Sequence, residues 1–320
     1  MPMKQAMIFP GQGSQKVGMG KDLANSYPAA KQVFEAVDDA LDMRLSSIIW
    51  DGNLEELTLT ENAQPALMAS SMAVLAALET EGIEIDFFDF VAGHSLGEYS
   101  ALCAAKSISI EDTARLLRRR GMAMQSCIDS KDGAMAAILG LSSTVIEEIL
   151  REQPKIGICQ IANDNDPNQV VISGHRSAVD RVIEASKKRG AKRALLLNVS
   201  APFHCQIMAP AAEVMREALS DIRILRPHVP VVMNTRANSV VDPEQIRSLL
   251  VEQIVEMVRW RETVGYIFGR GPATFYEIGA GKVLSGLVKR IVPDARIFNT
   301  SSAQDILSTI ESLNNDTIRK

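Results

Sequence analysis

At 320 residues, with 46% hydrophobic and 23% charged residues, the chain is long enough for one large α/β core, or for a core with a smaller second domain. A formal net charge of -5 and a pI near 5.5 argue against nucleic acid as a partner, because neutralising phosphates needs a basic face. With no run of 18 apolar residues, only a short apolar run before Pro10, and four cysteines (Cys103, Cys127, Cys159, Cys205) that form neither a CxxC pair nor a metal-ligand spacing, the expectation is a cytoplasmic protein without membrane span, disulfide, metal or cofactor.

Gln5–Phe9 reads as a short strand that breaks at Pro10 into a glycine-rich loop, Gly11-Gln12-Gly13-Ser14-Gln15, followed by Gly18 and Gly20. The spacing matches neither the Walker pattern nor the dinucleotide fingerprint, so the loop reads as backbone brought close to an active site. Residues Tyr27–Ile49 have helical periodicity. Thr60–Thr80 holds a second helix that begins near Pro65, and its alanines and methionines suit close packing on a sheet. Phe87–Ala92 is short, apolar and aromatic-rich, as a buried strand would be. Gly93-His94-Ser95-Leu96-Gly97 follows it, and Glu98–Ala105 reads as the start of a helix. Strand, tight turn and helix form the setting in which G-x-S-x-G is a nucleophile elbow. The hydroxyl of Ser95 then projects from the strand end, and the amide of Leu96 can face a developing oxyanion. An ordinary turn is the other reading of the motif.

Glu111–Asp129 reads as a third helix, capped by Ser109 or Asp112. At about 100° per residue, Leu117, Gly121, Met124 and Ile128 share one stripe, Arg118 and Arg119 swing away, and Arg120 falls on the margin between Leu116 and Met124. A buried guanidinium is costly alone, so Arg120 either pairs with a protein carboxylate or waits for a ligand's.

From Asp132 the pattern changes. Ala134–Leu139, Ile156–Ala162, Gln169–Ser173 and Arg193–Val199 read as strands, with Ser142–Gln153 and His175–Arg189 as helices between them. The order βαββαβ is a ferredoxin-like unit over residues 132–197, inserted into a larger discontinuous domain of residues 1–131 and 198–320. Asn163–Gln169 reads as a loop between two of these strands, and a simple turn accounts for it equally well. The chain returns at Ser200-Ala201-Pro202-Phe203-His204. A serine nucleophile needs a base with a near-neutral pKa, and four histidines are available. His94 should diverge from the hydroxyl beside it, His175 starts a helix, and His228 lies between prolines. His204 follows a strand end, where hydrolase-type folds put the base. Cys205 reads as packing. Within Leu249–Trp260, Gln253 interrupts an amphipathic helix, and a solvated position is its plain reading. Thr274–Ile278 is a strand, followed by Gly279-Ala280-Gly281-Lys282 and a helix to Val292. A terminal helix over Ala303–Asn315 precedes a fraying Asp316–Lys320.

Phe9-Pro10-Gly11-Gln12-Gly13-Ser14-Gln15 together with Gly93-His94-Ser95-Leu96-Gly97-Glu98 resembles the paired signature of the malonyl-CoA:acyl-carrier-protein transacylases of bacterial fatty-acid synthesis. Arg120 before Gly121, His204, and Gly279-Ala280-Gly281-Lys282-Val283-Leu284 continue the resemblance in the family's order over nearly the whole chain. It implies a hydrolase-like large domain with a mostly parallel sheet, and transfer of malonyl from malonyl-CoA to the phosphopantetheine thiol of acyl carrier protein through Ser95. It further implies His204 as base, the amides of Gln12 and Leu96 as oxyanion hole, Arg120 as receiver of the malonyl carboxylate, and the main-chain carbonyl of Gln253 as orienter of His204. Phe203 would narrow the pocket beside the malonyl α-carbon, although core packing is its plainer reading. The loop carrying Asn165 would approach the site. That loop departs from the family in having Asn168 where glycine is usual and Asp166 where a small residue is common.

The family's carrier protein is acidic, so a basic docking surface is expected at Lys187-Lys188-Arg189 with Lys192-Arg193, or at Lys282 with Lys289-Arg290. Cations at a helix C-terminus explain the first cluster as well. A monomer is expected. Two other classes stay open: a serine hydrolase such as a thioesterase, against which a buried Arg120 speaks, and a non-catalytic carrier-binding protein.

Overall fold

The structure, a computed structural model, describes residues 3–127, 132–154, 156–271 and 273–317. Ile128, Asp129 and the expected boundary at 131 lie outside the described residues, as do Ile318, Arg319 and Lys320. The strands are β1 (Lys4–Phe9), β2 (Phe90–Gly93), β3 (Gly133–Leu139), β4 (Cys159–Asp166), β5 (Gln169–His175), β6 (Arg193–Leu196), β7 (Val231–Met233), β8 (Asn238–Val240), β9 (Ala273–Ile278) and β10 (Arg296–Thr300).

The fold is α/β. One sheet has the order β10-β9-β1-β2-β7-β8 and is parallel throughout except for β8 at its edge. The middle strands β1, β2 and β9 are apolar on both faces because helices cover both. Met7, Phe9 and Val91 pack into one buried cluster, and Ala6, Ile8 and Ala92 into another. The second sheet is antiparallel, with the order β4-β5-β3-β6. Its own core joins Ile138, Val170 and Ile172 to Ile146 and Ile149 of the helix Ser143–Glu152 and to Val179 and Val182 of the helix Arg176–Lys188.

Along β4 the small sheet is joined to Val258 and to the helices Trp260–Phe268 and Val283–Ile291. Val258 donates to the carbonyl of Ala162 and accepts from the amide of Asp164, forming a bridge with Asn163. The carboxylate of Asp164 takes a bidentate Arg261, with its shortest contact at 2.7 Å, and that of Asp166 takes Arg290 Nε at 2.6 Å. Both carboxylates are buried, which is why β4 can carry them: each desolvated charge has a cation or amide directed at it.

Several sequence expectations need correction. Asn163–Asp166 belongs to β4 and not to a loop, leaving Pro167-Asn168 as the turn; the polar run signalled buried pairing, not solvent. Tyr27–Ile49 is two helices, Pro28–Leu41 and Leu45–Asp51. Asp42, at φ 49°, breaks them, while the carboxylate of Asp38 holds Ser46 across the break. The second long helix starts at Thr60 and contains Pro65. Proline removes the amide that would bond to Glu61, and the carbonyl of Glu61 accepts from Arg118 Nη1 instead. The strand before the elbow starts only at Phe90, because Ile85–Phe87 is a 3-10 turn. The helix before Gln253 is Pro243–Glu252, with Gln253 at its C-cap and Val258 beyond it. Strands β7, β8 and β10 and the helix Ala209–Ser220 were not foreseen; the strands are too short, or too half-buried, to show a period.

Candidate active site

Ser95 stands in the turn between β2 and the helix Gly97–Ala104 with φ 54°, a left-handed conformation that side chains rarely adopt. The flanking glycines make the turn possible. A Cβ on Gly93 would fall 1.8 Å from the Gly97 carbonyl oxygen, and one on Gly97 would fall 2.3 Å from that of Phe9. Asn234, just past β7, secures the turn from below: its Oδ1 accepts from the Ser95 amide at 2.8 Å and its Nδ2 donates to the Gly93 carbonyl at 2.6 Å.

The Nε2 of His204 is 2.7 Å from Ser95 Oγ, and its Nδ1 is 2.8 Å from the main-chain oxygen of Gln253. A carbonyl can only accept, so the proton sits on Nδ1 and Nε2 is free to take the serine proton. Burial, reinforced by the positive charge of Arg120, holds the imidazole pKa down to about 3, so the ring is a neutral base at physiological pH. The sulfur of Cys205 faces the Pro202 carbonyl, away from this pair.

Arg120 is 1% exposed. Its helix, Ile110–Gln125, is capped by Ser109, whose hydroxyl accepts from the Asp112 amide. Gly121 lets that helix meet the helix Thr60–Thr80 at backbone distance, since a Cβ there would be 2.6 Å from Glu61 Cα. Arg120 Nη1 donates to Gln64 Oε1 at 2.7 Å, and Nη2 donates to Gln253 Oε1 at 2.8 Å and to Ser95 Oγ at 3.2 Å. Its Nε is buried without an acceptor among the described residues. Arg118 turns to Glu61 and Asn62, and Arg119 to Glu217.

Ser95, His204 and Arg120 line a cavity of about 190 Å³ together with Gln12, Leu96 and Phe203. No residue among those described accepts from the main-chain amide of Gln12 or of Leu96. Asn165 reaches the site through His94, whose Nε2 donates to Asn165 Oδ1 at 2.9 Å; His94 is kept neutral by burial. Gln253 is fully buried, contrary to the solvated reading, and its side-chain amide donates to the Ser95 carbonyl at 2.9 Å. Sequence reasoning missed Gln64, Asn234 and Glu98. Only Glu98 carried a signal, as the last residue of the signature around Ser95. Among the described residues no group of three or more His, Cys, Asp or Glu side chains could hold a metal ion.

Of the two basic clusters, the first is partly neutralised. Lys187 pairs with Glu184, and Arg189 with Glu148 and Glu152. In the second, Arg290 is committed to Asp166 and Lys289 to the Pro293 carbonyl.

The family model described as an acyl transferase domain matches residues 6–305. The malonyl CoA-acyl carrier protein transacylase of Bacillus subtilis (strain 168) is 44% identical over 311 residues, 97% of each chain. The acyl-carrier-protein-S-malonyltransferase of Bartonella henselae superposes with a TM-score of 0.95 at 50% identity, covering 98% of this chain and all of the other. A malonyl-transacylase solved in complex with a type II PKS acyl-carrier protein superposes with a TM-score of 0.93 at 40% identity, covering 97% and 99%.

Proposed function

The chain belongs to the acyl transferase family, and from that premise we propose that it moves malonyl groups from malonyl-CoA to the phosphopantetheine thiol of acyl carrier protein in fatty-acid synthesis. The observation that carries the malonyl assignment is the buried guanidinium of Arg120, 3.2 Å from Ser95 Oγ, whose Nε has no acceptor among the described residues. A site for neutral acyl groups has no use for such a cation. A substrate carboxylate supplies the missing acceptor in the two-pronged geometry that guanidinium favours.

In the reaction we infer, His204 Nε2 takes the Ser95 proton as Oγ attacks the malonyl thioester carbonyl. The amides of Gln12 and Leu96 hold the tetrahedral oxyanion, and the coenzyme A sulfur leaves with the proton from His204. The carrier's thiol then passes its proton to His204 and attacks the malonyl ester, and Ser95 recovers the proton as the thioester forms. This is ping-pong transfer. The Gln253 carbonyl keeps the imidazole in the working tautomer. Phe203 walls the acyl pocket, and Asn165 contributes through its hold on His94.

The order of strands and helices supports a hydrolase-like large domain, residues 1–131 and 198–320, around a ferredoxin-like unit at 132–197. We further propose a cytoplasmic monomer whose carrier docks on the basic residues near Lys188 or Lys289. No helix among the described residues is long and apolar enough to cross a membrane. Incubation with radiolabelled malonyl-CoA, with and without carrier protein, tests the function: label should stay on the protein and pass to the carrier. Release as free malonate would identify a hydrolase, and absence of label a binding protein.

A further inference from the structure

Glu98 lies wholly buried in the first turn of the helix after Ser95, and no step of the reaction above uses it. Its Oε2 accepts from the main-chain amide of Asn234 at 2.5 Å, and its Oε1 from the side-chain amide of Gln253 at 3.0 Å. Both partners are donors, a pattern that suits the ionised carboxylate, which accepts at both oxygens. Each partner then reaches the reacting groups. Asn234 holds the Ser95 amide and the Gly93 carbonyl, the two sides of the strained turn. Gln253 holds the Ser95 carbonyl and the Arg120 guanidinium with its side chain and the His204 ring with its main chain.

We propose that Glu98 is a positioning residue: as an anion it fixes Asn234 and Gln253, and through them the backbone of Ser95, the imidazole of His204 and the guanidinium of Arg120. The proposal rests on the roles assigned above to those three residues. Three consequences of the geometry support it. A left-handed serine persists only where its surroundings over-determine it, and Glu98 anchors two of the groups that do so. Arg120 forms no ion pair with any described carboxylate, so Glu98, one amide away, supplies the compensating charge once it ionises. The charged and titratable groups acting on Glu98 are Arg120 and its neighbour Tyr99; burial raises its pKa to about 8 against the pull of Arg120. His204, neutral down to about pH 3, does not titrate in that range.

The test is the pre-steady-state rate of Ser95 acylation by malonyl-CoA between roughly pH 6.5 and 9.5, for wild type, Glu98→Gln and Glu98→Asp, each checked for folding by circular dichroism. In parallel, a fluorophosphonate probe reads Ser95 reactivity without any malonyl group. The wild-type rate should rise through about pH 8. Glu98→Gln should be slower at saturating substrate by about tenfold to a hundredfold, the worth of a charge-assisted hydrogen bond, with a smaller change in KM and no rising limb. Glu98→Asp should keep the limb at a reduced rate. A folded Glu98→Gln protein with the wild-type rate or the wild-type limb overturns the proposal. Should Glu98→Gln fail to fold, the wild-type probe profile decides, a flat one overturning the proposal and a rise through about pH 8 supporting it. If wild type takes no malonyl yet its probe labelling follows Glu98, the malonyl reading falls and the positioning role stands.

Discussion

Arg120 Nη2 stands 3.2 Å from Ser95 Oγ, so the one fully buried arginine among the described residues is already turned toward the nucleophile. Arg120→Ala should therefore depress malonyl loading while acetyl loading holds or rises. Removing one partner of a buried charge pair costs about 3–5 kcal/mol, or two to three or more orders of magnitude in the malonyl-to-acetyl ratio. Arg120→Lys should recover little, since a point charge cannot present two parallel donors. The measurement is the loading ratio on Ser95, and a parallel loss of both acyl groups would make the arginine structural.

Ser95→Ala should retain its circular dichroism spectrum and bind no covalent malonate. His204→Ala should slow acylation by about two to four orders of magnitude, the usual worth of a positioned proton acceptor. Loss of less than about tenfold would take His204 out of the base role.

Two buried groups tilt stability in opposite directions with pH. His204 is lowered from 6.5 to about 3, so the stability it lends is present above 6.5 and lost as pH falls toward 3. Glu98 is raised from 4.5 to about 8, so its contribution is present below 4.5 and lost as pH rises toward 8. Between these ordinary values the slopes oppose one another. Urea midpoints should consequently drop on both sides, with His204→Gln flattening the acid side and Glu98→Gln the alkaline side. Unchanged limbs in those variants would assign the titration to other groups.

Gly121→Ala should cost about 1–3 kcal/mol, because its methyl would press within 2.6 Å of Glu61 Cα and force two packed helices apart. Arg120 precedes it, so the same variant should lower the malonyl-to-acetyl ratio. A denaturant melt with the loading assay checks both, and a stability loss with selectivity intact would show that the guanidinium is placed independently of the helix contact.

Asp164→Ala should destabilise by about 1–3 kcal/mol, discounted from the value for a fully buried pair because Arg261 is 36% exposed. It removes a bidentate tie between the small sheet and the helix Trp260–Phe268, so the loss should appear in thermal unfolding and, through β4 and Asn165, in the packing of His94. A neutral result would mean that the Val258 bridge alone suffices.

Much of the site was legible because short-range pattern carries it. The spacing around Ser95 marks a strand-turn-helix, helical angle singles out Arg120 from its two neighbours, and elimination among four histidines leaves His204; the fold brings His204 to 2.7 Å and Arg120 to 3.2 Å from Ser95 Oγ. What could not be read were groups whose importance is purely tertiary. Asn234 and Gln64 are single polar residues whose partners lie far along the chain, and Gln253 sits at a helix end whose burial no local period announces. The polar run in β4 misled for the opposite reason. Strand residues are expected to alternate with apolar ones, yet Asp164 and Asp166 are buried by arginines that arrive from roughly a hundred residues downstream.

The small sheet is held unequally at its two edges. β4 is tied to the helices Trp260–Phe268 and Val283–Ile291 of the large-sheet layer, and to Val258 just before the first of them, by two buried carboxylates and a backbone bridge, whereas at the other edge Leu195, Leu196 and Leu197 remain exposed. Residues 197–199, just past β6, nevertheless form part of the cavity wall. Evolution and protein engineering therefore meet a divided molecule: the side that fixes the nucleophile and base tolerates little change, while one stretch of the cavity wall continues an exposed edge. Leu197 and Asn198 are exposed, while Val199 packs against the main core, so a library for new acyl preferences should begin at the first two.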